Sequence, residues 1–183
     1  MNYLDMELRS VSEPQRLIVG IVAPYDQTTY LVPDPAGERI RRGAFRRSLT
    51  NKSDKIPLFK NHDRGMRMGI SRSFAETPDG LVGEFKVNDG PAGDALLEEC
   101  RNGYLSGLSA GFFALNRERG GDGAREVVEG KLVEASVVGH PAYEGSGMLT
   151  VRNAQDLDVL LAPFQNRPDV NLDPIPSIRY GHR

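Results

Sequence analysis

Apolar residues follow two patterns along the chain, and both indicate a domain built mainly from β-strands. Residues 16–25, RLIVGIVAPY, form a β-branched and nearly continuous apolar run that Pro24 ends. Such a run is too short for a typical buried helix and predicts a buried strand. Residues 55–59, KIPLF, predict a second, short strand, and the turn formers Asn61 and Asp63 come directly after it.

Further along, alternation of polar and apolar residues predicts strands in pairs. Residues 68–77 and 80–87 alternate on the two sides of Pro78-Asp79-Gly80, in which Asp79-Gly80 is typical of a tight hairpin turn. Residues 105–115 and 126–138 predict two more strands, which a charged, glycine-rich segment joins. We expect this last pair to be antiparallel.

Helical patterns are fewer and lie between the strands. A loop is predicted over residues 26–39, and a short basic helix follows over residues 41–50. Residues 90–103 place apolar side chains at helical spacing and end on Gly103, a suitable C-terminal cap. We therefore expect a mainly β domain with peripheral helices (α+β), in which six or seven strands form a barrel-like sheet.

Length and composition favour one domain with tails. With 183 residues, an apolar fraction of 39% and 12 prolines, the chain is long enough for a single core and carries many turns. We place the domain at residues 16–152, after an N-terminal extension over residues 1–15. Residues 153–183 are rich in proline and predict a flexible C-terminal tail.

Charge and cysteine content exclude several classes of function. A net charge of -2 provides no cationic field for nucleic acid or an anionic membrane, and no window is apolar enough for a signal peptide or a membrane helix. The single cysteine, Cys100, excludes an internal disulfide and cysteine clusters for zinc or iron–sulfur. Histidines and carboxylates lack metal-site spacing. We expect a cytoplasmic protein without cofactor, metal, nucleic-acid partner or membrane anchor.

Two serines stand out in residues 102–113, NGYLSGLSAGFF, where they lie three residues apart in a strand pattern. With a period of two, Ser109 shares one face with Gly111 and Phe113, while Ser106 lies on the other face. The glycines on both sides, Gly107 and Gly111, leave room for a substrate backbone to approach the serine. A serine becomes a nucleophile only beside a positioned base, and otherwise these serines are simply small strand residues.

The candidates for that base are His62, in the turn after the second strand, and His140, at the exit of the last. Glu134 lies inside the last strand, where a carboxylate among apolar residues needs a partner. A histidine ring would satisfy the carboxylate and be oriented by it, as in a catalytic triad. The alternatives to a catalytic role are that His62 is an ordinary histidine in a surface turn and that Glu134 faces water from an edge strand. Alternation predicts that Glu134 shares its face with Leu132, Ser136 and Val138.

Five blocks of the sequence carry a resemblance that narrows these alternatives: IRRGAF, LFKNHDRGMRMGI, DGLVGEFKV, LSAGF and LVEASVVGHPAY. In order and spacing they resemble the prohead protease family of tailed bacteriophages, which are serine proteases of capsid maturation. The resemblance covers residues 16–152, about three quarters of the chain. It implies a fold similar to that of the herpesvirus assembly proteases, a closed or partly closed antiparallel β-barrel ringed by helices.

The resemblance also implies roles for individual residues. The serine of the S-x-G-F block falls on Ser109, which selects it over Ser106, and the histidine of the LFxxHD block falls on His62. The third triad position maps to Glu134, because the phage family usually has an acidic residue there. His140 is the competing third member.

The function implied by the resemblance is that of a serine endopeptidase without cofactor. It would cleave scaffolding protein, or the scaffold segment of the major capsid protein, inside the procapsid in the host cytoplasm, and it would cleave itself. Candidate partners are thus the capsid protein, the scaffold and a second copy of the chain in a homo-oligomer, with the tail over residues 153–183 as a segment for self-cleavage. The alternative is a catalytically inactive capsid-assembly or scaffold-binding module of the same fold. A generic intracellular hydrolase is a further alternative, against which the missing G-x-S-x-G motif argues.

Overall fold

The computed structural model describes residues 16–30, 35–50 and 55–140, together with the backbone of a last strand at Met148–Thr150. The predicted extension over residues 1–15 and the predicted tail over residues 153–183 lie outside the described residues. Within the described residues the chain forms eight strands and two helices: β1 (Leu17–Pro24), β2 (Glu38–Ile40), α1 (Arg46–Thr50), β3 (Pro57–Lys60), β4 (Asp63–Glu76), β5 (Gly80–Val87), α2 (Pro91–Arg101), β6 (Gly107–Arg119), β7 (Arg125–Val138) and β8 (Met148–Thr150).

The first half of the fold follows the apolar pattern closely. β1 is buried at every position except the half-buried Ile21, and it pairs antiparallel with β5. The hairpin of β4 and β5 is confirmed, but Pro78 and Asp79 form its tip, because Thr77 donates its backbone N–H to the carbonyl of Gly80 at 2.9 Å. The fixed φ of proline suits the first central position of a common turn. Gly80 is therefore the first residue of β5 and lies outside the tip.

β6 and β7 pair antiparallel along their length, as predicted. β6 begins two residues later than predicted and runs four residues further, and β7 begins one residue earlier. Half of the charged segment over residues 116–125 is therefore strand, and residues 120–124 connect the two strands. Along β6, Leu108 is buried in the core whereas Phe113 is exposed. The two faces that alternation predicts for β6 are thus the two faces of the folded strand.

A β-bulge interrupts this ladder and changes the face of one residue. Gly111 lies opposite Glu134, but the next residue of β6, Phe112, lies opposite Leu132. The extra residue on β7 is Val133, and it turns Leu132 into the hydrophobic core. The prediction that Leu132 shares a face with Glu134 is therefore wrong, because it assumed unbroken alternation.

Of the predicted fold, a mainly β domain with a closed or partly closed antiparallel barrel, the mainly β class is confirmed, whereas a closed and purely antiparallel barrel is wrong because the sheet is mixed and open. The strand order is β2-β7-β3-β4-β5-β1-β8, and β6 lies outside this order because it also pairs with β7. β2 and β3 both run parallel to β7, and the other described pairs are antiparallel. No pairing among the described strands joins β6 to β8, and the sheet curls into a half-barrel.

The mixed pairing of the sheet differs from the predicted antiparallel pairing for a physical reason. A hairpin between consecutive strands leaves a signal in its turn residues, whereas pairing between strands distant in sequence leaves none. β3 reaches β7 only after the chain has passed through β4, β5, α2 and β6, and a crossover of that length permits parallel pairing. The parallel pair β3–β7 brings the turn after β3 onto β7, where the candidate residues meet.

Both helices contribute to the core. The predicted helix over residues 41–50 is observed only as α1, and Phe45, just before it, is fully buried and meets Phe112 edge-on with ring centroids 5.3 Å apart. α2 contributes Leu96 and Leu97, and Gly103 follows it in the left-handed region at φ 76°, as a C-terminal cap requires. Neither described helix is long and apolar enough to cross a membrane.

Candidate active site

Three adjacent strands position the candidate residues. Ser109 lies on β6, Glu134 lies on β7, and His62 lies in the turn that follows β3. β7 pairs with β6 on one edge and with β3 on the other, so the serine and the histidine belong to the two strands that flank the strand of the glutamate. The site is therefore assembled by pairings between strands that are distant in sequence.

His62 is the second residue of a two-residue turn between β3 and β4. Asn61 and His62 both have left-handed φ values, 51° and 59°. Positive φ at both central positions fits the twist of a tight hairpin, and asparagine is favoured there. The backbone N–H groups of both residues bind β7, one at the carbonyl of Val137 and one at the hydroxyl of Ser136. The turn that carries the histidine is thus fixed to the strand that carries the glutamate.

The imidazole of His62 lies between Glu134 and Ser109. Its Nδ1 is 2.7 Å from Oε1 of Glu134, and its Nε2 is 3.1 Å from Oγ of Ser109. An ionised carboxylate only accepts hydrogen bonds, so Nδ1 donates to Glu134 and the lone pair of Nε2 faces the serine hydroxyl. A hydroxyl, a base and an orienting carboxylate in this order can activate the serine as a nucleophile.

The three side chains differ in their exposure to solvent. Ser109 and Glu134 are buried, with 5% and 7% of their surface exposed. The side chain of His62 is 45% exposed. Burial of the carboxylate keeps water from competing for the Nδ1 proton, while the exposed ring leaves the serine side of the site open to a substrate.

Two other predicted candidates lie outside this arrangement. His140 is exposed, two residues after the end of β7, and both ring nitrogens of His62 already have other partners. Ser106 precedes β6, and its hydroxyl donates to the carbonyl of Gly139 at 3.3 Å. Of the serines and histidines singled out in the sequence, the structure brings together Ser109 and His62.

Two residues contribute to the site in ways that the sequence did not predict. Ser136 is fully buried opposite Ser109, and its Oγ accepts a hydrogen bond from the backbone N–H of His62 at 3.2 Å. Gly111 lies opposite Glu134, whose side chain occupies the space that we expected a substrate to use. The predicted strands already included both residues, but their cross-strand partners depend on the register of β6 against β7.

The only cysteine in the sequence is unsuited to act as a nucleophile here. Burial in α2, and then the neighbouring Glu99 carboxylate, raise the pKa of the Cys100 thiol to about 11. The thiolate is the reactive form, so the thiol is inert at neutral pH. In the part of the chain that the structure describes, no group of three or more His, Cys, Asp or Glu side chains could hold a metal ion.

Comparison with known proteins decides the family. Residues 4–157 match the family described as Caudovirus prohead serine protease. The chain belongs to this family. The resemblance carried by the five sequence blocks is thereby confirmed. The prohead protease of Enterobacteria phage HK97 is 27% identical over 155 residues, which cover 80% of this chain and 64% of that relative. The chain therefore spans less than two thirds of the length of the HK97 prohead protease.

Solved structures similar to this chain come from herpesviruses and from another phage. The KSHV protease, in complex with a hexapeptide phosphonate inhibitor, matches 82% of this chain and 77% of its own, with 12% identity and a TM-score of 0.44. The bacteriophage T4 capsid assembly protease matches 69% of this chain and 99% of its own, with 16% identity and a TM-score of 0.43.

Proposed function

We propose that this prohead protease family member is a serine endopeptidase in which Ser109 is the nucleophile, His62 the general base and acid, and Glu134 the group that orients His62. One observation carries the proposal: the His62 ring is within hydrogen-bond distance of both partners, at 3.1 Å from Ser109 Oγ and 2.7 Å from Glu134 Oε1. Membership of a family described as serine proteases supports the same reaction.

The geometry supports acyl transfer in two stages. As Ser109 Oγ bonds to the scissile carbonyl carbon, Nε2 of His62 takes the hydroxyl proton, and the Nδ1–H of the imidazolium that forms continues to donate its hydrogen bond to the Glu134 carboxylate. The same proton then passes to the leaving amine as the C–N bond breaks. A water molecule, deprotonated by His62 Nε2, then attacks the acyl carbon. The ester bond between that carbon and Ser109 Oγ breaks, His62 returns the proton to Oγ, and the carboxyl product leaves. Acid–base catalysis of this kind contributes about 10²–10⁴-fold to the rate.

The proposed substrates are the scaffolding protein or the scaffold segment of the major capsid protein, and the chain itself. Family membership and the similarity to a relative named prohead protease support this class of substrate. The place of action would then be the procapsid, within the host cell. The exposed His62 ring fits a macromolecular substrate, because a peptide chain can approach the site from solvent.

A fluorophosphonate probe, which phosphonylates activated serines, tests the assignment without knowledge of the cleavage site. We expect it to label Ser109 in the full chain, to label Ser106→Ala equally, and to leave Ser109→Ala unlabelled by intact mass and peptide mapping. Co-expression with the capsid and scaffold proteins should yield cleaved products only with an intact Ser109. Equal labelling of Ser109→Ala would contradict the assignment. A wild-type chain that is neither labelled nor able to cleave would instead indicate the inactive capsid-assembly module.

A further inference from the structure

We infer that Gly111 is a positioning residue of this site, because the space left by its missing side chain allows Glu134 to reach His62. The inference rests on the proposed function for its catalytic meaning. Its structural content is separate: the contact between Glu134 and His62 requires that residue 111 has no Cβ.

The evidence is the cross-strand packing of Gly111. It lies directly opposite Glu134 in the β6–β7 ladder, where paired side chains share one face. A Cβ at residue 111 would collide with Cγ of Glu134 and lie 2.8 Å from its Cδ and 2.9 Å from its Oε1. Cβ atoms in proteins essentially never approach another heavy atom within 3.0 Å. The three nearest atoms all belong to Glu134, and Oε1 is the oxygen that binds His62.

The glycine is required for space and not for backbone conformation. Gly111 has no left-handed φ, so any residue could adopt its backbone geometry. The bulge at Val133 acts on the other side of the same contact, since it lies immediately before Glu134 and bulges change the direction of neighbouring side chains. The Glu134 side chain is thus directed by a bulge in its own strand and by a gap in the strand opposite.

A methyl group at residue 111 would therefore move the carboxylate. Relief of contacts at 2.8 and 2.9 Å requires Glu134 to shift by several tenths of an ångström or to change rotamer. Either change lengthens or breaks its 2.7 Å contact with His62 Nδ1. Misplacement of a catalytic group by about 1 Å costs about 10²-fold in rate.

The test compares Gly111→Ala with the wild-type full chain by two readouts. Imidazole nitrogen NMR reports which ring nitrogen of His62 is protonated, and the rate constant of fluorophosphonate labelling reports activation of Ser109. We expect loss of the Nδ1-protonated form and labelling about 10²-fold slower. Retention of both the Nδ1–H signal and the labelling rate would overturn the inference.

A double mutant separates this role from a general packing effect. Glu134→Ala removes all three atoms that a Cβ at residue 111 would meet. We therefore expect the thermal stability lost in Gly111→Ala to be recovered in the double mutant, and Gly111→Ala to cause no further loss of labelling in the Glu134→Ala background. Additive losses in stability and labelling would show that Gly111 acts without Glu134 and would overturn the inference.

Gly130→Ala is the matched control in the same ladder. A Cβ there would lie 2.7 Å from the buried ring of Phe45, so this variant should lose stability and keep the His62 tautomer. The same loss of the tautomer in Gly130→Ala would overturn the assignment to Gly111. The tautomer measurement and the double-mutant comparison of thermal stability require no catalytic turnover. They therefore test the positioning role of Gly111 even if the chain fails to react with the probe and the proposed function fails.

Discussion

The backbone N–H of His62 donates a hydrogen bond to Oγ of Ser136, 3.2 Å away, and Ser136 lies directly opposite Ser109 in the β6–β7 ladder. The residue that anchors the proposed base is therefore the cross-strand neighbour of the proposed nucleophile. His62 has a left-handed backbone, at φ 59°, which persists only where the surrounding structure holds it. Ser136 therefore helps to hold the turn conformation on which the distance between His62 Nε2 and the Ser109 hydroxyl depends.

Ser136→Ala should weaken this link without removing any group of the proposed triad. The lost hydrogen bond is expected to cost about 1 kcal/mol of unfolding free energy and to slow fluorophosphonate labelling of Ser109 about 10-fold. Ser106→Ala is the matched control, because its hydroxyl also binds backbone, at Gly139, but does not touch His62. Equal labelling rates in Ser136→Ala and the wild-type chain would contradict the prediction.

The third member of the proposed triad can be decided by two substitutions. Glu134→Gln keeps the size of the side chain and removes the charge that orients and stabilises the His62 imidazolium. We expect labelling and cleavage to fall by about 10⁴-fold, the magnitude for the corresponding change in a Ser-His-Asp triad. His140→Ala should leave both unchanged, because His140 is exposed beyond β7. The reverse pattern would assign the orienting role to His140.

The sequence predicted those features that depend on neighbours along the chain. The apolar run of β1, the cap at Gly103 and the turn that holds His62 each follow from residues within a few positions. Alternation separated Ser109 from Ser106 by face, and the resemblance of the S-x-G-F block then selected Ser109. The order of the blocks then identified the family without knowledge of which strands pair.

Features that depend on distant pairing were not predictable in this way. No local signal shows that β3 runs parallel to β7, and this pairing is what brings His62 to Glu134. The bulge at Val133 has no signature in its own residue types, so Leu132 was assigned to the wrong face. The roles of Ser136 and Gly111 follow from that register and became visible only in the folded chain.

Cys100 provides a test of the reaction class. Its thiol pKa is raised from 9.0 to about 11, which lowers the thiolate fraction at neutral pH about 100-fold. We expect iodoacetamide at neutral pH to alkylate Cys100 slowly in the folded chain and rapidly in urea, as followed by intact mass. Labelling of Ser109 by fluorophosphonate should persist after the treatment. Rapid alkylation of the folded chain with loss of activity would contradict both the buried thiol and the serine mechanism.

An ion-pair cluster far along the β6–β7 hairpin predicts a dependence of stability on pH. Hydrogen bonds from Arg39 and then from Arg41 hold the pKa of the Glu126 carboxyl below its usual value of 4.5. A carboxyl whose pKa is lower in the folded chain adds stability above its unfolded pKa, and that stability is lost as pH falls through the folded pKa. The melting temperature of the wild-type chain should therefore exceed that of Glu126→Gln at pH 7.

The difference in melting temperature should shrink as the pH is lowered from about 5 to about 3. Protonation of Glu126 then removes its negative charge in the wild-type chain, and Glu126→Gln lacks that charge at every pH. Glu98→Gln is the matched control, since Glu98 is exposed on α2 and forms no ion pair with any residue that the structure describes. It should melt like the wild-type chain across the range. A gap between wild type and Glu126→Gln that stays constant down to pH 3 would show that Glu126 stabilises the hairpin through packing, with no contribution from its charge.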